Sequence, residues 1–546
     1  MERITITFDD GTKKEYPNGI TYYEVSKDYK LSNEILGVKV NNEIMPLTSK
    51  ITKDTKVDFF DFNDLAGYKM YQAGLKFIFE VALKTYNKNL DVTYLHSVPK
   101  GILAEITGDY NITKEDLGKI KGIMANLITE DNRFYKFNVL KKEAYHYYEN
   151  IGEVNKAKNI QSITSEIVTL YKLKDYINYF YVELPYSTKA ISKFDVIYLG
   201  NNRVVFLFPS KRTNGNVPEY VHYPNIIDSF LKGKQWLEKM HMNFLPNLND
   251  AIATNKIKEF IDANELLFNE SIADVAEEIY EHPDKRIVLI AGPSSSGKTT
   301  TTKRLSSYLK MKGLDPICIS VDDYFVDREK SPKDEFGNYD WECLMAIDLD
   351  YFNKQLMQLL NGEAVSTPEF NFITGKREKT NKFIKLKENS IILIEGLHCL
   401  NDDMTPGIDS KYKYKIYLSP FIPLNVDRHN YISTVDLRMI RRIIRDNRTR
   451  GHGVDKTIES WQSVRNGEEK YIFPYIHQAD VIINTALAYE LGVLKEYILP
   501  LLHSVKVDEK HYEEARRLIY FLDKFYPIPG EYVSKESILR EFIGGE

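Results

Sequence analysis

Cysteine is scarce. Cys318, Cys343 and Cys399 are three isolated residues in a chain of 546, with no C-x-x-C pair, so neither a disulfide framework nor a cysteine-based zinc site is written into it. A reducing, cytoplasmic location is the expectation. Long apolar runs are missing as well: nothing approaches 18 uncharged apolar residues, and the N-terminal MERITITFDDG has no apolar signal region. No membrane partner is therefore expected. Neither sign of charge dominates, because 73 Lys and Arg face 78 Asp and Glu for a net charge of −5. That balance excludes a chain basic throughout for coating nucleic acid, but leaves room for a local basic site. No internal repeat or low-complexity tract occurs. What remains is an ordinary globular mix, 43% apolar and 28% charged, long enough for three or four domains.

Residues 1–62 read as short strands with one helix. Arg3–Phe8 alternates polar and apolar, Asp10-Gly11 signals a hairpin, and a helix is expected near Tyr22–Tyr29. Gly37–Val40 and Glu43–Leu47 flank Asn41-Asn42 as a second hairpin, and Val57–Phe62 closes the unit, which suggests a β-grasp module. From Leu65 the period changes: Tyr71, Leu75, Phe79 and Leu83 predict an amphipathic helix. Residues 63–205 then mix elements, with strands expected at Val98–Thr107, Phe180–Leu184 and Val204–Phe208 and a helix at Lys114–Ile128 behind the cap Thr113. Residues 206–285 read as a helical connector ending at His282-Pro283-Asp284. From 286 to 490, β-branched runs at Arg286–Ala291, Pro316–Val321, Ser390–Ile394 and Lys415–Leu418 alternate with helical patterns, the signature of a doubly wound parallel sheet. Residues 491–546 read as a helical C-terminal segment.

The strongest signal is Gly292-Pro293-Ser294-Ser295-Ser296-Gly297-Lys298-Thr299, which fits G-x-x-x-x-G-K-[ST] between a buried-type strand and the helix-compatible Thr300–Lys310. Glycines let backbone N–H groups wrap an anion, and the following helix presents its positive end to phosphate. Lys298 is suited to the β- and γ-phosphates, and the Thr299 hydroxyl to Mg²⁺. The loop predicts nucleoside triphosphate binding, with ATP and Mg²⁺ as the expected cofactors.

A phosphate loop alone does not distinguish a GTPase, a motor and a kinase. A GTPase would carry [N/T]KxD after the loop, and none follows Thr299. Thr113-Lys114-Glu115-Asp116 precedes the loop and opens a helix, while Asp334-Glu335-Phe336-Gly337 has the letters of D-x-x-G but follows no apolar strand. A small-molecule kinase needs a carboxylate to take a hydroxyl proton, and Asp322-Asp323-Tyr324-Phe325 sits where a strand ends at the ligand-binding edge of a parallel sheet. The bland alternative is an Asp pair capping a turn. Glu395 follows the strand Ile391–Ile394, where an acid can hold Mg²⁺ or merely cap a loop. Arg438, Arg441, Arg442 and Arg445 share one helix face, followed by Arg448 and Arg450; such a face is either solvated or the phosphate clamp of a lid.

Taken in order, GPSSSGKTT, SVDDYF, YDWE, PEFNFITGKR, IEGLH and DLRMIRRIIRDNRTRG make 286–485 resemble the uridine kinase and phosphoribulokinase family of P-loop kinases. The resemblance implies a phosphate cradle of Gly292, Ser294–Thr299 and Thr300. It implies Asp322 as general base and Mg²⁺ associate, Glu395 as the acid near Mg²⁺, and Asp340 gripping ribose hydroxyls beside Tyr339. It implies a lid in which Arg441 and Arg445 act on the phosphoryl group and Arg442 and Arg450 meet phosphates. Tyr324, Phe370, Phe372, Arg377 and Arg438 are the remaining expected substrate contacts. One departure stands out: the base-pocket run here is Phe370-Asn371-Phe372-Ile373-Thr374-Gly375-Lys376-Arg377, with Gly375 where uridine kinases carry His. The aromatic pair can stack on a base, but a polar contact that reads a pyrimidine edge is missing.

Residues 1–205 resemble the N-terminal half of threonyl-tRNA synthetase, a TGS domain followed by an editing-like α+β domain. The family's H-x-x-x-H helix reads Tyr71-Gln72-Ala73-Gly74-Leu75 here, and its later Cys/His motif reads Glu183-Leu184-Pro185-Tyr186-Ser187-Thr188-Lys189, so no hydrolytic metal site is expected. The combined architecture resembles bacterial nucleoside kinases that phosphorylate a 5′-hydroxyl. Two alternatives stay open: a kinase for another hydroxylated metabolite, and an RNA- or ribosome-binding regulator using the P-loop as a switch. RNA binding by the N-terminal half is the less favoured reading, since acidic and basic residues intermix there. A homodimer is compatible with the sequence but not specified by it.

Overall fold

The computed structural model describes residues 2–333, 337 and 339–545. Most of the Asp334–Gly337 run therefore lies outside the described residues. The first unit is a five-stranded sheet in the order 13–17, 3–8, 55–60, 37–40, 43–45, with its first and last long strands parallel, as in a β-grasp. Both turn signals hold: Gly11 sits at φ +84°, and Asn41 and Asn42 at φ 53° and 60°, the left-handed pair that a tight hairpin requires. The helix is shorter than expected, Tyr22–Ser26, closed by a capping box between Thr21 and Glu24.

Helix Leu65–Tyr86 follows, and Tyr71, Leu75, Phe79 and Leu83 are all buried on it. It packs on helix Lys114–Thr129, capped by Thr113, and on a four-stranded antiparallel sheet. Two expectations are corrected. The run Val98–Thr107 is broken at Pro99-Lys100 into strands Asp91–Val98 and Gly101–Thr107, with Lys100 at φ 67° making the turn. Phe180–Leu184 is not a strand: its side chains are spent on packing, Phe180 against Phe77 at 5.2 Å and Tyr181 beneath the Lys524 ammonium at 4.2 Å.

The C-terminal half is built on five parallel strands in the order Asp315–Ser320, Ser390–Glu395, Ile287–Ala291, Lys413–Ser419, Val481–Asn484. The three central strands are buried on both faces, so they read as apolar runs. On one face Val288, Ile290, Ile416 and Leu418 share a core with helices Ile257–Glu281 and Glu490–His503 and with Phe542 near the C-terminus. On the other, Ile287, Leu289, Ile392 and Ile394 pack with helices Pro224–Lys239 and Leu349–Leu360. The flanking segments 224–281 and 490–543 thus complete the layers around this sheet. A short hairpin, Asn425–Tyr431, ties the halves together: Asn425 donates to Tyr94 O at 2.7 Å, Tyr94 N–H to Arg428 O at 2.9 Å, and Arg428 pairs with Asp91 at 2.7 Å. Among the described residues no helix is long and apolar enough to cross a membrane.

Candidate active site

Three strands of the parallel sheet end side by side, each delivering one chemical group to the same edge. Ile287–Ala291 runs into the loop Gly292–Gly297, and helix Lys298–Met311 leaves it. The loop is closely packed. A Cβ on Gly292 would fall 2.6 Å from Ser296 Oγ and 2.7 Å from Leu418 O, so only glycine fits. Gly297, at φ +85°, is capped from outside by Ile538 of the C-terminal segment. Ser295 takes a left-handed φ of 60°, an uncommon conformation for a side-chain-bearing residue and one that belongs to an anion-cradling turn. Lys298 Nζ lies back on the loop, donating to Gly292 O at 3.0 Å. Thr300 Oγ1 donates to Glu541 at 2.8 Å.

Strand Ser390–Glu395 brings Glu395 beside the loop, where Thr299 Oγ1 donates to its Oε1 at 2.9 Å. Burial pushes the Glu395 carboxyl up to about 7, against the pull of Lys298. A buried carboxylate and a helix-start hydroxyl converging this way are short of positive charge, and so fit a divalent cation. Strand Asp315–Ser320 ends in the 3₁₀ turn Val321–Tyr324 that holds Asp322. Its charge bears on Glu395, Glu342 and Arg450. Asp323 turns the other way: it accepts from Phe370 N–H at 3.2 Å, and burial pushes it up to about 6.

Helix Thr434–Arg450 carries the arginines, and they divide into two sets. Arg441 is fully buried, bidentate to Glu490 at 2.7 and 2.9 Å, and donates to Ser295 O and Thr485 O. Arg438 is likewise buried, paired with Glu468, and its Nε donates to Ser294 O at 2.9 Å. Both expectations for these two are corrected. Their charge is spent on buried carboxylates and their spare N–H groups hold phosphate-loop carbonyls, so Arg441 is no phosphoryl contact and Arg438 no substrate contact here. The second set faces the site. Arg442 donates to Ser294 Oγ at 2.8 Å, and Arg442, Arg445 and Arg450 gather on Asp446 at 3.2, 2.8 and 3.6 Å. Three guanidiniums on one carboxylate leave two positive charges uncompensated, a ready place for phosphate oxygens.

Opposite lies the expected acceptor wall. Phe325, Phe370 and Phe372 form an aromatic cluster, and Arg450 lies 4.6 Å over the half-exposed Phe372 ring. Asp340 accepts from Tyr471 Oη at 3.1 Å and from Glu342 N–H at 3.2 Å, with the exposed Tyr339 ring tilted against Trp341. Arg377 pairs with Asp348 at 2.9 Å and lies over Tyr351. Tyr324 is a further correction: 2% exposed and bonded to Gln355 at 2.8 Å, it belongs to the core.

Four residues were not singled out by the sequence. Glu342, raised to about 7 by burial, faces Arg442, Lys298 and Asp322. His398 is buried, held neutral by that burial, and packs edge-on to Tyr471, the residue that donates to Asp340. Asp446 gathers the arginines. Arg328 donates to Phe372 O at 2.9 Å and fills the space that a Cβ on Gly375 would need. The signal for the first two was their place within YDWE and IEGLH; the other two depend on tertiary contacts.

The profile of the phosphoribulokinase / uridine kinase family matches residues 287–491. A uridine kinase of Bacillus pumilus (strain SAFR-032) is 32% identical over 199 residues, 36% of this chain and 85% of that protein. The chain belongs to the phosphoribulokinase/uridine kinase family. A uridine kinase of Bacillus subtilis (strain 168) is 30% identical over the same length, 36% of this chain and 84% of that protein. A solved possible uridine kinase from Bacillus stearothermophilus is 22% identical, covering 37% of this chain and 89% of that one with a TM-score of 0.25. For the N-terminal region, a threonine–tRNA ligase of Caldanaerobacter subterraneus subsp. tengcongensis is 29% identical over 181 residues, 33% of this chain. The chain spans only 28% of that ligase's length. A family kinase domain with a nucleotide-binding P-loop is thus joined to a TGS and editing-like region.

Proposed function

We propose that the protein transfers the γ-phosphoryl group of ATP to the 5′-hydroxyl of a nucleoside. The observation that supports this reading is the Thr299–Glu395 hydrogen bond at the mouth of the phosphate loop, with Asp322 at the end of the next strand close enough for its charge to bear on Glu395. Asp322 would orient the hydroxyl and take its proton as the acceptor oxygen bonds to the γ-phosphorus and the β–γ bridging bond breaks, releasing ADP. Lys298 would leave the carbonyl of Gly292 for the β- and γ-oxygens, and Arg442, Arg445 and Arg450 would take the spreading charge. Thr299 and Glu395, with Asp322 alongside, are the residues that would hold Mg²⁺, which supplies neutralising charge to the phosphates when bound. Asp340 and the Phe370–Phe372 pair suit a ribose diol and a flat ring.

The test is a panel of acceptors scored by ADP release in Mg²⁺ and ATP, nucleosides first and then sugars, sugar phosphates and hydroxy acids. Turnover with one or more nucleosides at least tenfold above the rest is the expected result. A second reading, another hydroxylated metabolite, is favoured by one feature: Arg328 occupies the base-pocket position that Gly375 leaves open. Preference for an anionic non-nucleoside acceptor would establish it.

A further inference from the structure

The family profile ends at residue 491, yet a segment well beyond it closes on the phosphate loop. Ile538 fills the space that a Cβ on Gly297 would need. Arg448, near the end of helix Thr434–Arg450, holds the segment by its backbone, donating to Phe542 O at 3.1 Å and to Glu541 O at 2.8 Å. Phe542 is buried with the Arg441 guanidinium 4.9 Å from its ring, and Arg540 ties the turn back to Gly530 O at 3.1 Å. The backbone is therefore fixed from several sides, and the half-buried Glu541 side chain is the part that can turn. Its carboxylate reaches the first turn of helix Lys298–Met311, where it accepts the Thr300 hydroxyl proton at 2.8 Å. Thr300 is one of the residues expected in the phosphate cradle, and here its donor is already engaged. A hydroxyl has one proton to give. The N–H groups and positive end of a helix's first turn draw an anion to that place, and serve a carboxylate as well as a phosphate. The Glu541 charge is felt at Glu395 too, where it adds to the effect of burial in pushing that carboxyl up.

We propose that Glu541 is a built-in competitor of the nucleotide: in the empty protein its carboxylate takes the Thr300 hydroxyl that a phosphate oxygen takes when ATP or ADP enters. The proposal rests on the phosphate loop being the ATP site, and not on which acceptor is phosphorylated. Entry of the phosphates breaks the Thr300–Glu541 bond and sets negative charge beside a carboxylate that stays within reach. Nucleotide therefore binds less tightly than the loop alone allows. On the way out Glu541 recovers the hydroxyl, which favours departure of ADP after transfer. Ile538, Phe542 and Arg448 keep the competitor in place throughout, so it turns aside for the nucleotide without leaving the loop.

The test titrates ADP, and separately a non-hydrolysable ATP analogue, into the full chain with Mg²⁺ by calorimetry, using samples whose urea midpoints show them folded. Glu541→Gln keeps an acceptor for Thr300 but removes the charge, and a neutral acceptor holds the proton less strongly. Both dissociation constants should fall by about fivefold or more in this variant, and at least as far in Glu541→Ala. Thr300→Val removes the contested proton and should weaken binding of both nucleotides by about threefold or more. A side chain that merely buttressed the loop would loosen binding when altered, so tighter binding is a result that packing does not give. Equal or weaker nucleotide binding by Glu541→Gln overturns the proposal, as does wild-type affinity in Thr300→Val, while the wild type's own binding keeps the ATP reading standing. Failure of wild type and variants alike to bind either nucleotide would overturn the ATP reading, and this proposal with it.

Discussion

Thr299 donates its hydroxyl proton to Glu395 across 2.9 Å, joining the first turn of the helix after the phosphate loop to the end of the neighbouring strand. The two residues are 96 positions apart, yet parallel pairing sets Ile290 beside Glu395 and Glu395 beside Ser320, so loop, metal-side acid and base-side turn arrive in register. The geometry of the site is a consequence of strand order. The phosphate cradle grows from the central strand, and both carboxylates come from the two strands on one side of it.

Glu395→Gln should leave the fold intact, because the amide retains an acceptor for Thr299. It removes the negative charge that fits Mg²⁺, so half-saturation by Mg²⁺ in an ADP-release assay should rise by about tenfold or more. Addition of Mg²⁺ with ATP should raise the thermal midpoint of the wild type, and raise it less in this variant. Equal Mg²⁺ dependence in the two proteins would assign Glu395 to loop capping alone.

Asp322→Asn should retain ATP binding, since no phosphate-loop contact is lost. Turnover should fall by a factor of about 10² or more with KM for ATP little changed. Near-wild-type turnover would remove Asp322 from the base role.

The two arginine sets separate by experiment. Arg441→Met strands the buried carboxylate of Glu490 and should cost about 3–5 kcal/mol of stability, read as a lowered urea midpoint. Pairing it with Glu490→Gln should recover part of that loss. Arg445→Ala, at a half-buried position beside Asp446, should unfold nearly like the wild type but lose turnover about tenfold or more. Equal destabilisation by both would mean that the helix carries its arginines for packing only.

This division also marks where the sequence stops being legible. The phosphate loop could be read because strand, loop and helix are contiguous in the chain, the place of Glu395 because it directly ends an apolar strand, and the β-grasp turns because Asp10-Gly11 and Asn41-Asn42 suit left-handed backbone. Spacing alone put Arg438, Arg441, Arg442 and Arg445 on one face, but could not say that Glu468 and Glu490 would bury half of that face. Tyr324 fails for the same reason: its neighbour Asp322 belongs to the site, while Tyr324 itself turns into the core toward Gln355. Phe180–Leu184 has the composition of a strand, but its rings are committed to Phe77 and Lys524.

Glu342 yields a pH dependence. Its folded pKa, about 7, lies above the ordinary glutamate value of about 4.5, because burial disfavours the charged form more than Arg442 favours it. The protonated form is therefore favoured in the folded protein, and stability falls as pH rises from about 4.5 to about 7, with the full penalty present above that. Glu342→Gln should raise the thermal midpoint at pH 8 and leave it unchanged at pH 4, a difference worth about 1 kcal/mol or more. Parallel midpoint curves for the two proteins would show that Glu342 keeps its proton equilibrium unaltered on folding.

Arg328 tests the acceptor wall. Its backbone N–H donates to Gly375 O at 2.9 Å, its guanidinium donates to Phe372 O at 2.9 Å and lies 5.9 Å over Trp341, and a side chain on Gly375 would run into it. A guanidinium at that position can donate to the carbonyls of a base edge, the role left open by the missing histidine. Arg328→Ala should therefore change KM among nucleosides unequally, by about 10–100-fold for the best acceptor and less for the others, with KM for ATP unmoved. Arg328→Lys keeps the charge but not the planar fork, and should recover little of the discrimination. If every acceptor weakens by the same factor, Arg328 supports the hairpin that carries Phe370 and Phe372, and the base is read elsewhere.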